Sequence, residues 1–435
     1  MGELMSSIHD NPLIAHYQAQ YEKSSATHEP DWLKEYRANA FASFIDQGIP
    51  TTQWENWKYT PLRLWAKNNF AHNTKTEKIA QISELQLFSM LDENAHEIVF
   101  VDGTYQPQLS AKHIAPIIIT DYAKAIDEHA ETIKKYLGQA VKWEEYPFAG
   151  LCDAIAHKGM VLIVPDNTVI LQPLHILFAT SQNSENCANH LRNLIIVGKN
   201  SKVTIVEHYV DLNDVVYFNN IVTEIVLEQN AHLSHYLLEQ EGNQSFHMSA
   251  TYIKQLQGSC FNSNAVTLSG HFSRHDMNTY LSESQASCQL NGLYFTHNTQ
   301  HVDYHTLVKH EAAHCNSASL YKGILADRSV SVYNGKVMVN PGAQKTQAKQ
   351  GNHNLLLSNH CEANSKPELE IYTDDVRCAH GATTGQLDED ALFFLQARGI
   401  ANSKARRMLI RAFANEVFAA WAVLTLAFVA AFIPI

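Results

Sequence analysis

Between Lys158 and Thr384 the apolar residues come in short runs of valine, isoleucine, leucine and tyrosine, separated by asparagine, glycine and serine. That texture predicts strands. Five of the runs stack by eye: "KVTIVEHYV", "AHLSHYLLE", "SCFNSNAVTL", "SCQLNGLYF" and "HCNSASLYKG". Their second residues are Val203, His232, Cys260, Cys288 and Cys315, at steps of 29, 28, 28 and 27 residues. A period this constant means one structural unit repeated. Strand-rich units of this length suit a parallel β-solenoid, where each coil covers the apolar face of the last; a β-sandwich would not hold the period. In this alignment Cys260, Cys288 and Cys315 occupy equivalent places in successive coils. They read as buried core rather than a metal ladder, because thiolate clusters usually come as close pairs.

Helical periodicity brackets the strand region. "EPDWLKEYRANAFASFIDQGIP" places Trp32, Tyr36, Phe41, Phe44 and Ile45 near helical spacing and stops at Gly48 and Pro50. "SELQLFSMLDENA" and "DYAKAIDEHAETIKKYLGQAVKW" predict further helices. After Gly385, Asp388 is the expected N-cap of "EDALFFLQAR" and Gly399 its stop, and Ser403 the expected cap of "KARRMLIRAFANEVFAAW". The expected division is a helical domain over 1–145, a solenoid over 146–385 and a helical domain over 386–435. Val417–Ile435 carries no charge and approaches bilayer-spanning length. It reads as a membrane anchor or as a helix buried against protein. Its alanine-rich composition and the lack of a following basic cluster favour burial over membrane contact.

Composition narrows the class. Hydrophobic residues make up 45% of the 435 and charged residues 17%, which indicates a folded protein. The net charge of -12 disfavours nucleic acid as a partner. Seven cysteines spread from Cys152 to Cys378 form no disulfide framework and suit reduced thiols in the cytoplasm. The start lacks a secretion signal, although Gly2 and Ser6 match the loose myristoylation pattern.

Candidate chemistry centres on "DDVRCAHGATTGQ", where Cys378 and His380 stand at i and i+2. On a strand both side chains point to one face, presenting a thiolate and an imidazole together, suited to iron, zinc or sulfur chemistry. Two ligands are too few for a stable metal site, so a complete one needs a partner or distant residues; the other reading is a Cys and His satisfied locally. His297, His301, His305, His310 and His314 match no metalloenzyme spacing and read as polar surface or inter-coil hydrogen bonding, with "HVDYHTLVKH" as an exposed strand face. "WENWKYT" reads as a packing cluster with a cation–π contact, or as a partner surface. There is no phosphate loop, no G-x-G-x-x-G opening a helix and no G-x-S-x-G elbow.

Longer stretches carry a resemblance. "ENWKYTPL", "PLHILF", "RNLIIVGKNSKVTIVEHY", "LVKHEAAHCNSASLYKGILADRSVSVYNGKVMVNPGAQKTQAKQGNHNLLLS" and "SKPELEIYTDDVRCAHGATTGQLDEDALFFLQARGI" read like signature stretches of the SufB/SufD family of iron–sulfur cluster assembly proteins. With no cysteine before Cys152, the chain is similar to the SufD branch. The resemblance implies a mainly β fold, a right-handed parallel β-helix flanked by helical N- and C-terminal domains. It implies a non-catalytic scaffold that pairs with SufB and binds the SufC ATPase, so that ATP enters only through SufC. A transient iron–sulfur cluster would form at the SufB interface, making His380 and then Cys378 its candidate ligands. Leu387, Asp388, Leu392, Phe393, Arg398, Arg406 and Phe413 would belong to the SufC-docking region. The uncharged tail departs from the charged ends usual in the family. A β-helix enzyme acting on a polysaccharide, which needs clustered carboxylates and a secretion signal, and a membrane-anchored structural protein are the competing classes.

Overall fold

A computed structural model describes residues 11–24, 29–74, 85, 88, 96–111, 114 and 116–418. The Gly2 and Ser6 pattern, most of "SELQLFSMLDENA" and the tail beyond Phe418 lie outside the described residues. Among the described residues no helix is long and apolar enough to cross a membrane.

Strands fall alternately into two ten-stranded sheets, so that hydrogen-bonded neighbours are two strands apart in sequence. Each coil gives one strand to each sheet, and the result is a parallel β-solenoid of about eight turns. Antiparallel pairing occurs at its N-terminal end, where His96–Val101 meets Thr104–Tyr105 and Ile118–Asp121 meets Met160–Val164. His96–Val101 and Ile118–Asp121 lie inside the stretch whose pattern reads as helical. Strands of four and six residues leave no alternation long enough to read.

The repeat is real, but its register differs from the alignment by eye. Lys202, His232, Cys260, Ser287, Asn316, Gln347 and Arg377 stand at one level in successive coils. The next level holds Val203, Leu233, Phe261, Cys288, Ser317, Ala348 and Cys378. Cys260 and Cys288 are therefore one level apart, and Cys315 precedes both levels; there is no cysteine ladder. Coil lengths vary, so a residue type recurring near one place does not fix register. Cys288 and Cys315 are nevertheless buried in the interior between the sheets, as expected of core cysteines.

One corner explains how the chain turns. Asn167, Asn200, Asn230, Gly258, Gln285, His314, Lys345 and Asp375 all have positive φ, between 54° and 67°. Asparagine and glycine tolerate this conformation best. Side-chain bonds link Asn230 to Asn200 and Asn200 to Asn167, each at 3.1 Å. Asn230→Gly is expected to stay within about 1 kcal/mol of the parent, whereas Asn230→Val should cost about 1–3 kcal/mol, read from urea unfolding midpoints.

Helices cover the outer faces. Helices α1 (Pro12–Ser24), α2 (Asp31–Gln47) and α5 (Pro147–Ile155) lie over one sheet, joined by Trp57 and Trp65. Helices α3 (Tyr122–Glu128) and α4 (Ala130–Tyr136) form a smaller cluster with Val161, Leu194 and Ile196. Helix α2 ends at Gly48, at φ 72°, where the sequence predicts. The "WENWKYT" segment crosses the first sheet: Arg274 lies 3.7 Å above the Trp57 ring, and Thr60 donates to Asp303 at 2.6 Å. The face carrying His301, Asp303 and His305 is thus covered, not exposed. The five histidines do not gather: His310 bonds Ser317 in the interior at 2.9 Å, and His314 sits at the corner.

Burial also makes the fold acid-sensitive. It lowers His72 and His310 to about 4 and His208 to about 3. Between those values and the ordinary histidine pKa near 6.5 the unfolded chain binds more protons, so stability falls as pH drops through this window. Asp211, raised by burial to about 6, works in the opposite direction and offsets part of the loss. Urea midpoints should fall steadily from about pH 6.5 to pH 4.

Candidate functional site: the open end of the solenoid

The last coil consists of Glu362–Ile371, ending one sheet, and Arg377–Gln386, ending the other. Each strand pairs on one side only, with Val330–Val339 and Gln347–Leu356 respectively. Cys378 stacks on Ala348 and, further back, on Cys288 and Phe261, so its column faces the interior. His380 stacks on Gln350, Ser319 and Leu290, the last of which is also an interior residue. Spacing i, i+2 puts both side chains on one face, as the sequence predicts; this is the interior face at the end of the solenoid, which nothing among the described residues caps. Cys378 is half-buried and packs against the core, whereas His380 is exposed.

The same lack of a cap leaves Ile371 42% exposed, although its column partner Val339 is fully buried. Tyr372 beside it is 59% exposed. An open groove of about 590 Å³ runs beside Cys378, lined by Cys288, Ser317, Ala348 and Arg377 among others. Burial raises the Cys378 thiol above its ordinary pKa, against the lowering effect of the Ala348 backbone N–H. Ligation by this sulfur therefore requires loss of a proton. Among the described residues the group of three or more His, Cys, Asp or Glu donors within 4.8 Å of one another is Glu239, His247 and His275, far from this end. Cys378 and His380 supply at most half of a tetrahedral ligand set.

Of the C-terminal helices α6 (Glu389–Gln396) and α7 (Asn402–Phe418), α7 lies on the outer face of the second sheet and α6 packs on α7. Asp388 is the N-cap of α6, accepting from the Asp390 and Ala391 N–H groups at 2.9 and 3.0 Å. Helix α7 begins at Asn402, so Ser403 is inside it and not its cap. Ile410, Ala414 and Val417 pack against Leu293, Ile324 and Leu355. Leu387 and Leu392 are buried, which takes them out of the exposed surface of the free chain; Leu387 packs with the residues of the sheet. Phe413 is half-buried beneath the Lys322 ammonium, 4.4 Å from its ring centroid. Phe393 at 71%, Phe394 at 54% and Met408 at 42% exposure form the outward apolar surface, with Arg398 stacked 3.4 Å over Phe394. Arg406 is half-buried nearby on α7.

Comparison with known proteins agrees with this architecture. A family model for the SufBD core domain of the SUF iron–sulfur cluster assembly system matches residues 178–413, and one for the SufBD N-terminal region matches residues 8–176. The chain belongs to the SufB/SufD family of iron–sulfur cluster assembly proteins. The Escherichia coli iron–sulfur cluster assembly protein SufD is 32% identical over 374 residues, covering 85% of each chain. Bacillus subtilis SufD is 28% identical over 411 residues, covering 89% of this chain and 90% of that protein. A SufBD family protein of Synechocystis is 30% identical over 425 residues, covering 95% and 93%. The two SufD relatives support the SufD branch, and with it a role in iron–sulfur cluster assembly.

Proposed function

We propose that the chain is a cytoplasmic, non-catalytic scaffold subunit whose last coil docks on SufB and supplies His380, and secondarily Cys378, to a nascent cluster. The observation that carries this reading is the uncapped mouth. A solenoid needs its terminal coil covered, and here the terminal coil exposes interior columns, an apolar Ile371 and two free sheet edges. A partner with similar strands would continue both sheets and bury the mouth, as in strand addition. The cluster is cargo, and half-ligation suits cargo: separating the two subunits opens the site without unfolding either.

SufC would dock on the exposed face of α6 and α7, through Phe393, Arg398 and Arg406. Helix α7 rests on the sheet that ends in Arg377–Gln386, with Lys322 donating to the Phe413 carbonyl at 2.9 Å. Movement of α7 on ATP binding by SufC would thereby reach the site. Co-expression with SufB and SufC, followed by anaerobic purification, is expected to yield one complex containing all three chains together with iron and sulfide. Recovery of SufB and SufC without this chain would refute the pairing.

A further inference from the structure

We infer that the solenoid interior holds a second, wholly internal site for one divalent transition-metal ion, ligated by His247 Nε2, His275 Nε2 and a Glu239 carboxylate oxygen. The three residues come from three strands, His232–Gln240, Ser245–Gln255 and Phe272–Leu281, and meet between the two sheets. All three are buried, and their donor atoms lie within 4.8 Å of one another. Tetrahedral coordination at metal–nitrogen distances near 2.0–2.1 Å places donors about 3.3 Å apart, so modest side-chain rotations close the set.

Each histidine is already oriented as a ligand by its other nitrogen. His247 Nδ1 faces Glu241 Oε2 at 3.1 Å, and His275 Nδ1 faces Ser249 Oγ at 2.8 Å. Glu241 is itself held by Asn219, whose Nδ2 donates to it at 2.6 Å. Metal-bound imidazoles characteristically donate their second N–H to a carboxylate or hydroxyl in this way. Glu239 is fixed by Ser273 and by Thr267, the latter at 3.2 Å.

His247 Nε2 is the independent sign that something belongs there. It is buried with no hydrogen-bond partner among the described residues. As imidazolium, His247 would bury an unsatisfied N–H; as a neutral ligand, the same nitrogen has a use. Charge agrees. Glu239 and Glu241 are both fully buried, and one dication balances the two carboxylates while both imidazoles stay neutral. A Cβ at Gly270 would press on Ser273 Oγ at 2.8 Å and Glu239 Oε1 at 3.0 Å, so glycine leaves room for this carboxylate. Two imidazoles and a carboxylate suit Fe²⁺, Zn²⁺ or Co²⁺ rather than Mg²⁺ or Ca²⁺.

The test uses the full metal-stripped chain and Co²⁺ alone as the probe. Expected is uptake of one ion per chain with visible ligand-field bands and no thiolate-to-cobalt charge transfer. His247→Gln and His275→Gln should each weaken binding at least about tenfold. A Cys378→Ser/His380→Ala chain should bind as the parent does, which separates this site from the one at the solenoid mouth. X-ray absorption on the loaded parent needs no variant to fold: two imidazoles in the shell support the assignment. No uptake, sulfur in the shell, or unchanged affinity in both histidine variants overturns it.

Discussion

A complex assembled with His380→Ala in place of the parent chain is expected to keep its subunit ratio but to carry at least about tenfold less cluster iron and sulfide. His380 is exposed, so its removal leaves no cavity in the free chain and its thermal unfolding should match the parent's. The loss is then one of ligation and not of folding. Cys378→Ser should have a smaller effect near neutral pH. Its thiol is half-buried and raised, so the sulfur is mostly protonated and its contribution grows as pH rises. Cluster content in the His380→Ala complex equal to the parent's would remove the ligand assignment.

The second large effect is on stability. Replacing Arg192 with methionine is expected to destabilise the chain by about 3–5 kcal/mol, because it strands two buried carboxylates. Arg192 Nε bonds Asp153 Oδ1 and its Nη2 bonds Glu224 Oε2, each at 2.5 Å, with all three side chains fully buried. Asp153 also accepts from Tyr36 and Trp143 at 2.7 Å, and Glu224 from the Gly138 and Ala140 backbone at 2.8 Å. This network ties α2 and α5, and the loop after α4, to the first sheet. A methionine variant unfolding within about 1 kcal/mol of the parent in urea would show that the pairs contribute little.

Much of this architecture is written plainly in the chain. A coil near 28 residues shows as recurring strand texture, Gly48 and Gly399 mark helix ends by positive φ, and Asp388 marks a helix start by capping it with its side chain. Register is a different matter. Cys260, Cys288 and Cys315 look equivalent, but coils differ in length, and only the hydrogen-bonded ladder sets which level each occupies. The helix face around Trp32 was likewise only partly legible: the buried stripe of α2 is Leu33, Arg37, Ala40 and Phe44, and a charged arginine and a small alanine in it hide it from a count of large apolar residues.

For the site, spacing alone put Cys378 and His380 on one face. That the face is the inner one at an open mouth follows from strand order, which spacing does not reveal. Exposed Ile371 and Tyr372 escaped notice for the same reason. Glu239, His247 and His275 were missed because they converge across the interior from separate strands, with no short motif to mark them. In "HVDYHTLVKH" the alternation suggested an exposed face because the covering segment at Trp57 and Thr60 is more than 200 residues away in sequence.

Hydrogen–deuterium exchange of the chain alone and with SufB tests the docking mode most directly. An edge strand of a parallel sheet leaves alternate amides unpaired, so Arg377–Gln386 and Glu362–Ile371 should exchange fast on their open sides in the free chain. Added SufB should slow exchange in both strands together. Protection that appears elsewhere, with both edge strands exchanging as before, would contradict docking through the open end of the solenoid.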